Sequence, residues 1–199
     1  ARAVHLDGST AVIGSHLIGP VNGGTIYIYN KDNTGNWNED QIINAPDTSG
    51  NDFFGHSLDK SGNRMVVGAF GHNFDENAEN EIADTGAAYI YDNNGNDQWT
   101  LTEKVVASDR GIYAGFGWSV GISGSTCLVG SEGSGYTAED QSLFYKGSAY
   151  IFETDTPQSI QEQALSDFGI YPNPTQGYLS FAKNLNGNNV ILYNTLGQV

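Results

Sequence analysis

The run Gly117-Trp118-Ser119-Val120-Gly121 fits the Gly-x-Ser-x-Gly pattern that lifts a serine nucleophile onto a sharp strand-to-helix turn. Such a serine needs a histidine base within hydrogen-bond reach and a helix behind it. No helical periodicity follows Ser119, and a serine returns in the same slot as Ser57 in Gly55-His56-Ser57-Leu58-Asp59. A serine that recurs with a repeat is placed by structure, so nucleophilic catalysis is not expected. His5, His16, His56 and His72 lack the spacing of a helix-borne zinc pair, and the single Cys127 offers no second thiolate. Carboxylates crowd two stretches, one with Asp75, Glu76, Glu79, Glu81 and Asp84, the other Asp92-Asn93-Asn94-Gly95-Asn96-Asp97. Hard cations take clustered oxygen ligands, so Asp75, Glu76, Asp84, Asp92 and Asp97 are the candidate calcium ligands. A solvated acidic loop and an Asn-Gly hairpin explain the same residues without a cation. No other cofactor is expected. Tyr27, Tyr29, Tyr89, Tyr91, Tyr150 and Phe152 recur two residues apart; one of each pair is expected in a core and the other on a surface suited to sugar stacking or a protein ligand.

The elements that position these residues follow from composition and repetition. Glycine accounts for 26 of 199 residues, charged residues for 16% and aromatics for 12%. With Asn, Ser, Tyr and Val also prominent, this suits short strands and tight turns rather than helices. Eight basic residues face 23 acidic ones, a net charge of −15. That field repels phosphate backbones and anionic lipid, which argues against nucleic-acid and membrane-surface partners. No apolar run approaches the ~20 residues that span a bilayer. One cysteine allows no intrachain disulfide, which a chain with a real core does not need outside the cell. No signal peptide is visible, and Ala1-Arg2-Ala3-Val4 reads as mid-domain sequence, so a longer natural chain is expected.

Three copies of one unit align on Gly8, Gly62 and Gly124. Val4, Leu58 and Val120 stand four residues earlier; three residues later begin Ala11-Val12-Ile13-Gly14-Ser15, Met65-Val66-Val67-Gly68-Ala69 and Cys127-Leu128-Val129-Gly130-Ser131. A second block follows as Gly24-Thr25-Ile26-Tyr27-Ile28-Tyr29, Gly86-Ala87-Ala88-Tyr89-Ile90-Tyr91 and Gly147-Ser148-Ala149-Tyr150-Ile151-Phe152. Trp37 and Trp99 stand 62 residues apart, ahead of Gln41-Ile42-Ile43 and Glu103-Lys104-Val105-Val106. Each unit offers four strand-like runs divided by Gly/Asn turns, and four antiparallel strands per repeat is the pattern of a propeller blade. Residues 54–106 are expected to form one such blade, with Cys127 buried and inert in its second-strand slot. A stacked sandwich is the alternative, but it leaves the period unexplained.

Phe54-Gly55-x-Ser57, Val67-Gly68-Ala69 and Gly86-Ala87-Ala88-Tyr89-Ile90-Tyr91, with Phe116-Gly117-Trp118-Ser119 in register, resemble the FG-GAP repeat of integrin α-subunit heads and bacterial surface proteins. The resemblance covers residues 1–153, as units of about 1–52, 53–114 and 115–153. It implies a seven-bladed propeller with about four blades upstream, and a last blade that borrows a strand from the chain's start. Integrin-type repeats carry calcium in an Asp-rich first hairpin. Here those hairpins read Leu58-Asp59-Lys60-Ser61-Gly62-Asn63 and Ile122-Ser123-Gly124-Ser125, so that role does not carry over.

Residues 154–166 lack glycine, contain Pro157 and read as a linker with a helical turn near Ile160-Leu165. Beyond it, Tyr171-Pro172-Asn173-Pro174-Thr175-Gln176-Gly177 fixes an extended run before a turn, followed by the strand-like Tyr178-Leu179-Ser180-Phe181 and Asn189-Val190-Ile191-Leu192-Tyr193-Asn194. With Tyr193-Asn194-x-x-Gly197-Gln198, this run resembles the C-terminal sorting domain of bacterial type IX secretion. The resemblance makes Tyr171, Pro172, Asn173, Pro174, Thr175 and Gly177 the sorting motif, 167–199 the start of a truncated β-sandwich, and the type IX machinery a partner. The expected protein is all-β, a partial propeller of four-stranded antiparallel blades plus that tail. It is expected to be a secreted or cell-surface, non-catalytic scaffold that binds an unidentified protein or carbohydrate. The alternatives are an accessory domain of a larger secreted enzyme and a structural surface-layer component.

Overall fold

A computed structural model describes residues 1–95, 98–133 and 147–154, together with the backbone pairing of two short strands further on. The chain divides into two compact units, Ala1–Asp155 and Thr156–Val199. In the first, β1 (Ala3–Asp7), β2 (Thr10–Ser15), β3 (Thr25–Lys31) and β4 (Trp37–Ile43) form one four-stranded antiparallel sheet in sequence order. A second repeats it with β5 (Ser57–Ser61), β6 (Arg64–Ala69), β7 (Ala87–Asn93) and β8 (Trp99–Val105). The third holds β9 (Phe116–Ser123), β10 (Thr126–Ser131) and β11 (Ser148–Glu153), three strands among the described residues. Only one short 3-10 turn, Pro20–Asn22, interrupts the strands among the described residues. The protein is therefore all-β and built of propeller-type blades, as the repeat predicts. In the second unit β12 (Ile170–Tyr171) pairs antiparallel with β13 (Ser180–Phe181).

The register repeats along with the fold. A bulge falls between Ile28 and Tyr29 where β3 meets β4, and another 62 residues on, between Ile90 and Tyr91, where β7 meets β8. The extra residue lets Trp99, read from sequence only as a marker ahead of the strand, open β8 itself and enter the core.

Strand alternation sends successive side chains to opposite faces, and each face of the middle blade meets a neighbour. Met65, Val67, Ala87, Tyr89, Tyr91 and Trp99 pack against Val12, Ile26, Ile28 and Ile43 of the first blade. Val66, Ala88, Ile90 and Val105 pack against Phe116, Cys127 and Val129 of the third. Burial on both faces explains the unbroken apolar run of β6 and β7. Each fully buried side chain of this size contributes roughly 1.5–3 kcal/mol. Tyr89 and Tyr91 share one face and are both buried, so the expectation that one member of each aromatic pair leaves the core is corrected. Residues two apart in a strand cannot face opposite ways. The face that blade two turns toward blade one has its counterpart on the outer side of blade one, where Val4 and Leu6 are 72% and 68% exposed.

The glycines of the repeat mark where blades touch. Gly24 and Gly86 form isolated parallel bridges to Phe54 and Phe116, the Phe of the next Phe-Gly pair. A Cβ on Gly86 would lie 2.0 Å from the Phe116 carbonyl oxygen, and one on Gly24 would lie 2.0 Å from that of Phe54. Polar ties reinforce the junctions. Ser57 Oγ donates to the Gly117 carbonyl at 2.8 Å, and Asp59 Oδ2 accepts from the Ile122 N–H at 2.9 Å. Gln41 clamps the outer strands by donating to the Trp99 carbonyl and accepting its N–H, at 3.0 and 2.8 Å.

Candidate functional site

The Phe-Gly segments that begin β5 and β9 bring loops of adjacent blades together around a cleft of about 470 Å³. Its walls are Phe53, Phe70, Tyr113 and Trp118, with Asp84 and Glu132 as the charged lining residues and Gly115 and Gly133 completing it. Phe53 stacks on Phe70 at 4.6 Å with nearly parallel rings, and Phe70 meets Trp118 edge-on at 4.6 Å. Behind them, His56 packs on both Phe70 and Trp118, and its Nδ1 lies 3.2 Å from the Trp118 carbonyl. Burial first, and Arg2 second, push the pKa of His16 and of His56 below its ordinary value, so both imidazoles are neutral at pH 7. Among the described residues no cationic side chain lines the cleft.

Backbone hydrogen bonds fix its rim. Tyr113 N–H donates to the Ala83 carbonyl at 2.9 Å, Gly115 N–H to that of Asp84 at 3.0 Å, and Gly133 N–H to that of Ala114 at 2.8 Å. Phe53, Asp84 and Tyr113 all have left-handed backbones, with φ of 58°, 47° and 57°. The repeat imposes these conformations. Sixty-two residues apart, Phe53 corresponds to Gly115 (φ 65°), Tyr113 to Asn51 (φ 55°) and Asp84 to Asn22 (φ 59°). Gly and Asn tolerate that region, whereas a bulky aromatic there costs of order 1–3 kcal/mol and persists only where the surroundings over-determine it. Two aromatic walls of the cleft thus stand where another copy of the same turn carries a residue suited to the backbone.

A second polar cluster lies between blades one and two. His72 is fully buried. Its Nδ1 lies 3.3 Å from Asp52 Oδ2 without hydrogen-bond geometry, and its Nε2 lies 2.9 Å from Lys104 Nζ and 3.5 Å from Asp47 Oδ2. Lys104 Nζ and the Tyr89 hydroxyl donate to Asp47 at 2.6 and 2.8 Å. Burial opposes charge on His72, but the Asp47 and Asp52 carboxylates beside its ring outweigh it and hold the pKa above the ordinary value. Burial likewise works to raise both carboxylates; the neighbouring His72 first, then the donors Lys104 and Tyr89 at Asp47 and the Ser49 N–H at Asp52, prevail and hold them low. Every strong charge here has a partner, which suits a structural tie.

The carboxylates singled out from sequence are scattered. Asp75 Oδ1 accepts from the N–H groups of Asn77 and Glu79 and so folds its own loop, beside the exposed Glu76. Asp84 reaches the cleft, while Asp92, at the other end of β7, makes a two-point ion pair with Arg64 at 2.6 and 2.9 Å. Asp97 lies outside the described residues. Among the described residues no three His, Cys, Asp or Glu side chains stand together as metal ligands. Ser119 sits inside β9, with no strand-to-helix turn beside it. Cys127 is buried against blade two, and burial raises its pKa. Of the sorting motif, Tyr171 lies in β12; Pro172, Asn173, Pro174, Thr175 and Gly177 fall outside the described residues, as do Ile160-Leu165 and the run from Asn189 to Asn194. Sequence reasoning passed over the cleft, although the copies differ sharply at its positions: His16, Phe70 and Glu132 correspond, as do His56 and Trp118.

Set against known protein families, residues 37–91 and 99–152 each match the FG-GAP repeat, together more than half of the chain. Each match starts at the outer strand of one blade and ends in the third strand of the next, one strand out of phase with the sheets. No curated protein matches the chain.

Proposed function

We propose that this chain, which belongs to the FG-GAP repeat family, is a secreted, non-catalytic binding module that presents the aromatic cleft between its second and third blades to a ligand. FG-GAP repeats are typical of extracellular domains, and no helix among the described residues is long and apolar enough to cross a membrane. The observation that carries the reading is the pair of aromatics, Phe53 and Tyr113, held in left-handed backbone where the repeat's other copies have Gly115 and Asn51. Strain kept at Phe53 and Tyr113, where the other copies of the same turns carry Gly115 and Asn51, fits selection for the side chains rather than for the fold. A rigid blade pair bearing variable loops is how such scaffolds divide stability from recognition.

Export belongs to the same reading. The run Tyr171-Pro172-Asn173-Pro174-Thr175-x-Gly177 resembles the type IX sorting motif, and the tail is a compact unit apart from the blades. Two experiments test the proposal. Glycan and peptide arrays probed with the labelled protein and with Trp118→Ala should reveal binders lost in the variant; arrays without any cleft-dependent binder overturn the binding reading. A reporter with a signal peptide and the complete natural tail should reach the surface or medium only where the type IX system is intact, and equal delivery without that system overturns the export reading.

A further inference from the structure

The cleft combines aromatic walls with two exposed carboxylates, Asp84 and Glu132, that no described cation pairs. Among the described residues no hydrogen bond or ion pair engages the side chain of Asp84 or Glu132. Phe53, Phe70, Tyr113 and Trp118 line the same space, and the chain as a whole carries a net charge of −15. Although Asp84 is exposed, burial of part of its carboxylate, and secondarily Asp52, push its pKa upward, a direction that a bound cation would oppose. Resting on the binding reading above, we propose that the cleft takes an organic cation of the alkylated ammonium class, with its methyl groups against the rings and its charge between Asp84 and Glu132.

Hydrogen-bond capacity decides among cations. A primary ammonium brings three N–H donors and a guanidinium five, all of which need acceptors once desolvated. Among the described residues the lining side chains with charged acceptor oxygens are Asp84 and Glu132. A quaternary ammonium has no N–H to satisfy, and its charge spreads over methyl groups that suit aromatic faces. A neutral sugar matches the stacking surface and leaves both carboxylates without a counter-charge.

The test compares choline with 3,3-dimethylbutanol, its uncharged isostere, by titration calorimetry on the full chain. Choline should bind at least about 10-fold more tightly. Asp84→Asn and Trp118→Ala should each weaken choline at least about 10-fold. Because Trp118→Ala also removes contacts with His56 and Phe70, Tyr113→Asn serves as a second variant; it restores the residue that Asn51 shows this turn accepts, and should lose choline while its unfolding stays cooperative. Equal affinity for choline and the isostere, or no choline binding at millimolar concentration, overturns the cation inference. An array sugar lost in Trp118→Ala, with choline inert, overturns it too while leaving the binding reading standing.

Discussion

Replacing Gly86 by alanine should be among the most damaging single changes in the first unit, although it adds one methyl group. The new Cβ would lie 2.0, 2.4 and 2.7 Å from the carbonyl oxygen, nitrogen and carbonyl carbon of Phe116, all backbone atoms of the next blade. No side-chain rotation relieves such contacts; a blade must move. Gly86 also has φ +86°, which costs an L-residue about 1–2 kcal/mol. Overpacking adds about 1–3 kcal/mol, and weakening the 3.0 Å bond from Phe116 N–H to the Thr85 carbonyl adds about 1 kcal/mol. The sum is roughly 3–6 kcal/mol, or a fall in Tm of about 6–24 °C at this size. Gly62→Ala is the control, since Gly62 has φ +59° but nothing within 4 Å of its would-be Cβ. It should cost only the backbone strain, about 1–2 kcal/mol. Gly24→Ala should match Gly86→Ala, because its Cβ meets Phe54 in the same way. Thermal and urea unfolding followed by circular dichroism measure all three. Equal losses at Gly86 and Gly62 would refute the argument that blade contact, rather than backbone conformation, dictates the repeat's glycine.

The buried cluster around His72 predicts a stability plateau in pH. Asp47 and Asp52 have pKa values below the ordinary 3.8 in the folded chain, so their contribution is present above that pH and is lost as pH falls through their folded values. His72 has a pKa above 6.5, so its contribution is complete below pH 6.5 and is lost as pH rises through the folded value. His16 and His56, whose values are depressed, act in the opposite sense, so His72 is isolated by comparison with His72→Gln: the Tm advantage of the wild type over the variant should shrink as pH rises above 6.5, and an advantage that stays constant or grows refutes the assignment. Arg64 joins blade two to blade three by pairing with Asp92 and donating to the carbonyl and hydroxyl of Thr154. Arg64→Lys, which keeps the charge but not the fork, should still cost about 1–3 kcal/mol in urea unfolding, and full retention of stability would count against a bidentate role. Cys127 should react with a thiol reagent only as fast as the blades open, so labelling of the native protein at the rate of a free thiol would contradict its burial.

The blade core could be read from sequence because its information is periodic. Met65-Val66-Val67 and Ala87-Ala88-Tyr89-Ile90-Tyr91 recur at a fixed offset, and four strand-like runs per period leave little choice of sheet. What escaped the reading was set by tertiary contact. Asp47, Asp52, His72 and Lys104 each look like ordinary loop or edge residues, and only the stacking of blade on blade closes them into a buried cluster. One of Tyr89 and Tyr91 was expected at a surface because the pair is aromatic and repeated, but both are buried, and repetition was the sign of core. The cleft residues Phe53, Phe70, Tyr113 and Trp118 sit at turn ends with no periodicity of their own, and their signal lies in the differences between copies.

The phase of the repeat relates these observations. Each family match runs from the outer strand of one blade through three strands of the next, so the sequence unit spans a blade junction. The junction is where Gly86 meets Phe116, where Gly68 approaches the Gly117 carbonyl and where Ser57 bonds to that same carbonyl. Main-chain contacts this close tolerate little movement, so they hold the turns on either side whatever side chains those turns carry. Phe53 and Tyr113 can occupy left-handed positions there because the junction fixes the backbone independently of them. Fold specificity and recognition then fall to adjacent residues with opposite demands: the Phe-Gly and Gly-Ala segments must stay as they are for blades to stack, and the residues bracketing them are free to differ from copy to copy. A cleft at the junction of blades two and three, lined by the positions that differ most, is where a repeat of this phase places its variation.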